Sequence, residues 1–301
     1  MLILRQMPDP LRLRPMPANE AYRRAFYSRW GKEAAIVCAP TRGVEYPPFT
    51  QRLSIKTARG GRERYFLADS GRTLSVDDDS FLVLNDGRTY ASLVESEREI
   101  ESYTIFFAPG AGEEVAAGMN RLLPRLLDGN TSRPAIEFTE CLQPHNRLVT
   151  PVLTRIRRQL DEGHDDESWY EEQLLLLLER MIANQRRVVG QADDVKALKR
   201  STRTEIHRRI LLATDYIHAH FEKDIALDVL ASVACLSKYH FLRLFTAIHG
   251  ITPNAFVHRK RARVAGRLLA SSAFTMDEVA LRVGYAARSS LFRQMRRWRK
   301  R

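Results

Sequence analysis

Two arginines stand at matching places in two similar stretches of the sequence. Arg243 lies in DVLASVACLSKYHFLRLF (228–245), and Arg293 lies in DEVALRVGYAARSSLFRQM (277–295). A guanidinium on the outward face of a helix suits paired hydrogen bonds to the edge of a guanine base. The elements that position the two side chains decide whether they do this chemistry.

Both stretches follow a pattern of helix, turn and helix. Each opens on an acidic residue, continues with an apolar residue next to alanine, and turns at a small residue, Cys235 or Gly284. We expect Asp228 to cap the first helix of the first copy, and Ser237 to cap its second helix. The predicted helix-turn-helix motifs span residues 227–248 and 275–298.

Helical spacing divides the second helix of each motif into a buried face and an outward face. A helix with a polar or basic outward face suits entry into the major groove of DNA. The outward residues are Tyr239, Leu242, Arg243 and Thr246 in the first motif, with Lys238 and His240 at the edges, and Ser289, Phe292, Arg293 and Arg296 in the second, with Arg288 and Ser290 beside them.

One helix is predicted between the motifs. Thr252 is placed to cap it, Pro253 suits its first position, and the pattern runs to Ala270. At about 1.5 Å per residue this helix spans about 27 Å, close to the ~34 Å between successive major grooves on one face of DNA. Arg261 falls among apolar positions, where we expect a buried pairing with a carboxylate. We expect phosphate contacts from Ser237, Lys238, His240, Arg259, Arg263, Arg267 and Arg296.

The net charge of +12 is concentrated in one part of the chain. Residues 191–301 carry 22 Lys and Arg against 9 Asp and Glu, a net charge of +13, whereas residues 1–190 carry 26 against 27. A neutral part joined to a strongly cationic part favours a polyanionic partner, most often nucleic acid.

The N-terminal part has a different period. Residues 33–107 alternate apolar and polar side chains between tight turns, which predicts short strands in an antiparallel β-barrel or sandwich. The period becomes helical past Glu113. The fold class is therefore α+β, with a barrel followed by helices and then an all-α C-terminal domain. The predicted boundaries are an N-terminal domain at 1–190, a linker at 191–205 and a DNA-binding domain at 206–301.

A wide apolar stripe runs along one face of the predicted helix WYEEQLLLLLERMIANQR (169–186). Such a stripe packs either on its own barrel or against a second chain, and the sequence leaves both open. We expect a homodimer, with Leu177 and Met181 among its contacts. The stripe consists of Leu174, Leu177, Leu178, Met181 and Ile182.

The N-terminal part lacks the residues that catalysis needs. Its first histidine is His145, and the sequence has no Gly-rich phosphate loop, nucleophile elbow or Cys/His pair. We therefore expect neither an enzyme nor a metal or other cofactor. A barrel without catalytic groups can still enclose a small ligand. The candidate lining residues are Arg42, Tyr46, Arg64 and Tyr90.

Uninterrupted apolar runs such as Leu174–Leu178 are far shorter than the ~20 residues of a membrane helix. The N-terminal residues have no apolar core of the length that a signal peptide requires. Three cysteines lie far apart without metal-ligand or redox spacing. These features predict a cytoplasmic protein without a membrane partner.

Residues 208–301 resemble the AraC/XylS family of bacterial transcription regulators. The resemblance rests on the succession YIHAHFEKDIALDVLA, LSKYHFLRLF, GITPNAFV, RARVAGRLL and TMDEVALRVGYAARSSLFRQM. It implies about seven helices, with two recognition helices in consecutive major grooves at asymmetric sites near promoters. By position, the base-reading residues are Tyr239, Leu242 and Arg243 in the first motif and Arg288, Ser289, Phe292 and Arg293 in the second.

The N-terminal part resembles the cupin-like effector-binding and dimerisation domain of the same family, through DDDSFLVLNDGRTY (77–90) and TIFFAPG (104–110). Family members usually continue after the second motif through a Gly-x-Ser/Thr-Pro turn and a closing helix. Here RRWRKR follows Met295. We therefore expect the second motif to be the less stable one, with Trp298 covering its core.

The leading interpretation is a transcription regulator, an activator that answers a small molecule through its N-terminal domain and works with RNA polymerase. One alternative uses the same DNA-binding module but senses no ligand and acts through protein contacts. The other is a β-barrel enzyme fused to a DNA-binding tail, which the absence of early histidines disfavours.

Overall fold

A computed structural model describes residues 1–120, 136–164, 166–191, 200–270 and 274–299. The chain divides into two compact units, Met1–Gly190 and Gln191–Arg301. In the described ranges, no helix combines the length and the apolar character that crossing a membrane requires.

The N-terminal unit is built on one eight-stranded sheet. Its strands are β1 (Leu2–Leu4), β2 (Ala35–Gln51), β3 (Ser54–Arg59), β4 (Arg62–Leu67), β5 (Thr73–Asp77), β6 (Ser80–Leu84), β7 (Arg88–Phe106) and β8 (Leu142–Pro144). Its helices are α1 (Glu20–Arg29), α2 (Ala111–Asn120), α3 (Thr150–Asp161) and α4 (Glu167–Gln191).

Two long strands organise this sheet. Strands β2 and β7 pair antiparallel along most of their length, with register shifts between Thr41 and Gly43 and between Tyr46 and Phe49. Strand β3 pairs with the last residues of β7, and β4 pairs with residues 90–93 near its start. The strand order is β1-β2-β7-β3-β6-β8, with β4 between β7 and β5.

This architecture confirms the α+β fold class. The expectation of a closed barrel is wrong for the strands described, because β1 and β8 end the path of pairing without meeting each other. Two different strands add to separate parts of β7, so that the sheet branches and does not close into a ring.

The apolar stripe of α4 packs inside its own chain. Leu177 and Met181 are 0% and 2% exposed and belong to the same core cluster as Ile36 and Ile105 of the sheet. The proposed dimer contact through Leu177 and Met181 is therefore wrong, since a side chain buried in its own core has no surface for a partner. The other three stripe residues, Leu174, Leu178 and Ile182, share that core.

The C-terminal unit is all-α in the part that the structure describes. Its helices are α5 (Arg200–His220), α6 (Leu227–Val233), α7 (Lys238–His249), α8 (Pro253–Ala270), α9 (Met276–Arg282) and α10 (Arg288–Arg299). The structure differs from the predicted linker at 191–205, because residues 200–205 belong to α5. Residues 192–199 lie outside the described residues. Glu205 forms ion pairs with Arg208 and Arg209, three and four residues further along the helix. Such pairs stabilise a helix, so the first part of α5 is helical although its sequence is polar and lacks apolar periodicity.

Helix α8 begins and ends where the sequence predicted, at Pro253 and Ala270. Thr252 caps it, since the Ala255 amide donates to Thr252 Oγ1 at 3.3 Å. One end of α8 packs Phe256 into the core of the first motif, and further along Ala265 enters the core of the second. A single helix therefore joins both motif cores.

Candidate nucleic-acid interface

The first motif consists of α6 and α7 with a tight turn between them. Cys235 has a φ of +49° in this turn, and Ser237 caps α7, since the His240 amide donates to Ser237 Oγ at 3.5 Å. The predicted cap of α6 is wrong, because Ala226 is the N-cap and Asp228 already lies in the first turn. There the Asp228 carboxylate interacts favourably with the positive end of the helix dipole, and its Oδ1 lies 2.6 Å from Lys238 Nζ.

The second motif consists of α9 and α10. Thr275 and Glu278 form a capping box that the sequence reading missed: the Thr275 amide donates to Glu278 Oε2 at 2.7 Å, and the Glu278 amide donates to Thr275 Oγ1 at 3.3 Å. The signal for it was present as T-x-x-E. Gly284 makes the turn with a φ of +84°.

Each motif has an ion pair between its first and its second helix, which the sequence did not lead us to expect. Asp277 on α9 lies 3.6 Å from Arg288 on α10, and Asp228 on α6 pairs with Lys238 on α7 in the same way. All four side chains are exposed, so each pair stabilises the fold by at most about 1 kcal/mol. Such weak pairs leave the basic side chains accessible to phosphate.

Arg261 of α8 connects three separate segments. Its side chain is buried, as expected, and donates to Phe221 O at 2.6 Å, Lys223 O at 2.6 Å and Gly284 O at 2.8 Å. These acceptors are main-chain carbonyls, where the sequence led us to expect a carboxylate. The guanidinium thus fixes α8 to the turn of the second motif and to the segment after α5.

The residues predicted to read bases are all exposed on α7 and α10. Tyr239 and Phe292 are 69% and 55% exposed, which is unusual for large aromatic side chains and fits contact with another molecule. Two outward positions differ, since Thr246 and Ser290 are half-buried. The exposed predicted base-reading residues are Tyr239, Leu242, Arg243, Arg288, Ser289, Phe292 and Arg293.

The predicted phosphate contacts divide into two groups. Arg259 is half-buried with its guanidinium 4.9 Å from the ring centroid of Phe256, and burial lowers its pKa below the ordinary value. Arg267 is half-buried as well. The exposed members of the set are Ser237, Lys238, His240, Arg263 and Arg296.

Several known proteins are similar in sequence to this chain. The sequence model of a family described as a helix-turn-helix domain matches residues 230–301. The probable transcriptional regulator LumQ of Photobacterium leiognathi is 26% identical over 214 residues, which cover 67% of this chain and 81% of LumQ. The HTH-type transcriptional regulator AlkR of Acinetobacter baylyi is 30% identical over 109 residues, or 36% of this chain and 35% of AlkR. The C-terminal unit contains a helix-turn-helix domain of the AraC/XylS type.

Among solved structures, the DNA-binding domain of AdpA in complex with a target DNA is 28% identical to the matched part of this chain. The match covers 30% of this chain and 80% of that chain, with a TM-score of 0.29. In the AraC/XylS-type domain, the outward faces of α7 and α10 carry the residues that we predict to contact bases.

A half-buried histidine is expected to make the AraC/XylS-type domain sensitive to acid. His249 Nε2 lies 2.9 Å from Thr214 Oγ1, and the ring packs against Phe245 and Phe256. Burial, with the nearby positive charge of Arg259 and a contribution from His207, lowers the pKa of His249 to about 4 from 6.5. Between these two pH values the unfolded chain binds a proton that the folded domain does not. The free energy of unfolding therefore decreases as the pH is lowered from 6.5 to about 4.

We predict that the domain loses about 3 kcal/mol of stability through His249 when the pH falls from 7 to 4. His249→Gln can keep a hydrogen bond to Thr214 without titrating, and should flatten this dependence. Calorimetric unfolding of the full chain at the two pH values measures it, with the exposed His240→Gln as control. An equal loss of stability in His249→Gln and in the wild type would contradict the prediction.

The N-terminal unit holds a cavity of about 540 Å³. Tyr46 and Tyr90 line it, as the sequence predicted, whereas Arg42 and Arg64 do not. Arg42 is exposed, and Arg64 points to the opposite face of β4 from its neighbours and pairs with Glu95 at 3.0 Å. The aromatic lining residues include Phe26, Tyr27, Trp30, Phe49, Tyr65 and Phe106.

Two buried charged side chains, Lys56 and Glu63, line this cavity and were missed by the sequence reading. Lys56 Nζ donates to Tyr90 Oη at 2.7 Å and lies 4.0 Å from the ring centroid of Phe106. Burial lowers the pKa of Lys56 to about 7, and the charge of Glu63 opposes this shift. Glu63 accepts a hydrogen bond from Ser102 Oγ at 2.7 Å, while burial raises its pKa.

Proposed function

We propose that this chain is a sequence-specific transcription regulator that places α7 and α10 in two consecutive major grooves of one DNA site. The observation that carries the proposal is the attachment of two helix-turn-helix cores to the single helix α8, in a part of the chain with a net charge of +13. Helix α8 has 18 residues, or about 27 Å, which suits reading helices about one turn of DNA apart.

The regulator responds to a small molecule in the cavity of its N-terminal unit. A volume of about 540 Å³ lies within the range that small-molecule sites usually have. Activation of transcription, contact with RNA polymerase and assembly as a homodimer in the cytoplasm belong to the same proposal. The chain acts by binding and not by catalysis.

Selection from random DNA with the full chain tests this function. We expect an asymmetric enriched site with two blocks of sequence preference whose centres lie about 10 base pairs apart, because each recognition helix reads one major groove. Binding without any enriched sequence would contradict it. Regulation without a ligand, through protein contacts alone, predicts the same DNA site and no small-molecule binding.

We predict that phosphate contacts make binding strongly dependent on salt. Arg263 and Arg296 are exposed and basic, so replacing both by alanine should flatten the slope of log K against log salt by about 2, because each neutralised phosphate contributes about 0.9. Affinity should fall equally for specific and random DNA. Filter binding across salt concentrations measures both effects.

The control for this experiment is Arg24→Ala, which removes an exposed arginine of the N-terminal unit that pairs with Glu20. It should leave the slope unchanged. If the double variant also keeps the wild-type slope, the phosphate contacts lie elsewhere on the domain.

A further inference from the structure

The cavity of the N-terminal unit has an excess of positive charge. Arg14, Arg52 and Lys56 line it, against the single acidic side chain of Glu63. The rest of the wall is mostly apolar, and its rings pack on one another: Trp30 meets the edge of Phe106 at 4.8 Å between centroids. A ligand in this cavity therefore contacts an apolar wall and three basic side chains. Of these three, Lys56 has an acidic neighbour in the lining, Glu63.

Arg52 has donors that the protein does not use. Its Nη1 donates to Glu33 O at 2.8 Å and Phe107 O at 2.9 Å, which fixes the plane of the guanidinium. Its Nε and Nη2 are buried and have no acceptor among the described residues. These two nitrogens form the side edge of the group, whose parallel N–H bonds match the two oxygens of a carboxylate.

Lys56 also keeps donor capacity. An ammonium has three N–H donors, and the one hydrogen bond observed for Lys56 goes to Tyr90 Oη. Glu63 does not use the remaining donors, because the hydrogen bonds to its carboxylate come from hydroxyls, those of Ser102 (2.7 Å), Tyr65 and Ser92. The cationic side of the cavity thus has unused donors, whereas its one carboxylate already has partners.

We propose that this cavity binds a small organic acid with a largely apolar body, whose carboxylate is recognised by Arg52 and Lys56. The inference rests on the proposed response to a small molecule and names the chemical class of that molecule. The aromatic wall takes the apolar body. A carboxylate supplies both the negative charge and the acceptors for donors that are costly to bury unsatisfied.

The test compares acids with their amides on the full chain. Phenylacetate, 2-naphthoate and octanoate, each at up to 10 mM, are titrated calorimetrically beside phenylacetamide, 2-naphthamide and octanamide. At least one acid should bind more than tenfold tighter than its amide, since the amide keeps the body but loses the charge. Equal binding of each acid and its amide, or no binding of any acid, would overturn the proposal.

Variants assign the carboxylate to its partners. Arg52→Gln and Lys56→Met should each weaken binding of the acid at least tenfold, whereas Arg64→Gln should leave it unchanged, because Arg64 lies on the other face of β4 and does not line the cavity. Acid binding that survives both Arg52→Gln and Lys56→Met would also overturn the proposal.

A measurement on the wild type guards against variants that fail to fold. Burial favours the neutral amine of Lys56, and a bound carboxylate favours its ammonium, so binding at pH 8 should take up a proton. The binding enthalpy should then change with the ionisation enthalpy of the buffer. An enthalpy that is the same in phosphate and Tris would contradict a role for Lys56. A chain that selects a DNA site but binds none of the acids refutes this inference and leaves the DNA-binding function intact.

Discussion

Gly284→Ala is expected to destabilise the second motif by about 3 to 4 kcal/mol, from the cost of a left-handed backbone for alanine together with the cost of a clash. Gly284 has a φ of +84°, and a Cβ at this position would lie 2.1 Å from Glu222 O. The obstacle is main chain, held in place by the hydrogen bonds of Arg261 to Phe221 O and Lys223 O on either side. The clash therefore has no flexible side chain to relieve it.

Hydrogen exchange of the full chain measures this effect, with faster exchange expected in α9 and α10 and little change in α6 and α7. Two other glycines serve as controls. Gly266 lies inside α8, where an added Cβ would meet nothing within 4 Å, so Gly266→Ala should stabilise the helix by about 0.5 to 1 kcal/mol. Gly250 has a φ of +70° in open space, and Gly250→Ala isolates the backbone cost. If Gly284→Ala were no worse than Gly250→Ala, the clash would be disproved.

The second large effect concerns the two arginines on the recognition helices. Arg243 and Arg293 are exposed on α7 and α10, and replacing either by alanine should weaken specific binding by about 5- to 150-fold, or about 1 to 3 kcal/mol. Arg→Lys at the same position should recover part of the total affinity but not the preference for guanine, because lysine keeps the charge and loses the paired hydrogen bonds.

Equilibrium binding to the selected site and to random DNA measures both effects. Arg208→Ala is the matched control in the same unit, since Arg208 is an exposed arginine that pairs with Glu205 on α5. It should change specific affinity by less than about twofold, because Arg208 lies outside the two recognition helices and its charge is already paired with Glu205. Equal losses on specific and random DNA in Arg243→Ala and Arg293→Ala would assign both side chains to phosphates.

Local signals explain why much of the C-terminal unit was predictable. Thr252 and Pro253 mark the start of α8, and Ser237 marks the start of α7, because caps and proline act within a single turn of helix. The outward faces followed from helical spacing for the same reason. The error at Asp228 is equally local: an acidic residue suits both the N-cap and the first turn, and sequence alone does not separate the two.

The cavity was harder to predict because strand pairing over long distances forms it. Lys56 and Glu63 come from β3 and β4, which pair with different parts of β7, and β3 is buried on both faces. Alternation along a strand tells which residues share a face but not which face meets a cavity. Arg64 and its neighbour Glu63 lie on opposite faces of β4, and the sequence alone does not show which of the two lines the cavity. The stripe of α4 was ambiguous for a similar reason, since a core and a dimer contact demand the same apolar residues.

The proposal that one chain reads two major grooves is tested by a complete base-preference map of the selected site for the wild type, Arg243→Ala and Arg293→Ala. Each chain is measured against every single-base variant of the site. We expect Arg243→Ala to lose base preference in one block and Arg293→Ala in the other, with the block centres about 10 base pairs apart, since each recognition helix reads its own major groove. Loss of preference at the same base pairs in both variants, or unchanged preference in both, would contradict the reading of two grooves by one chain.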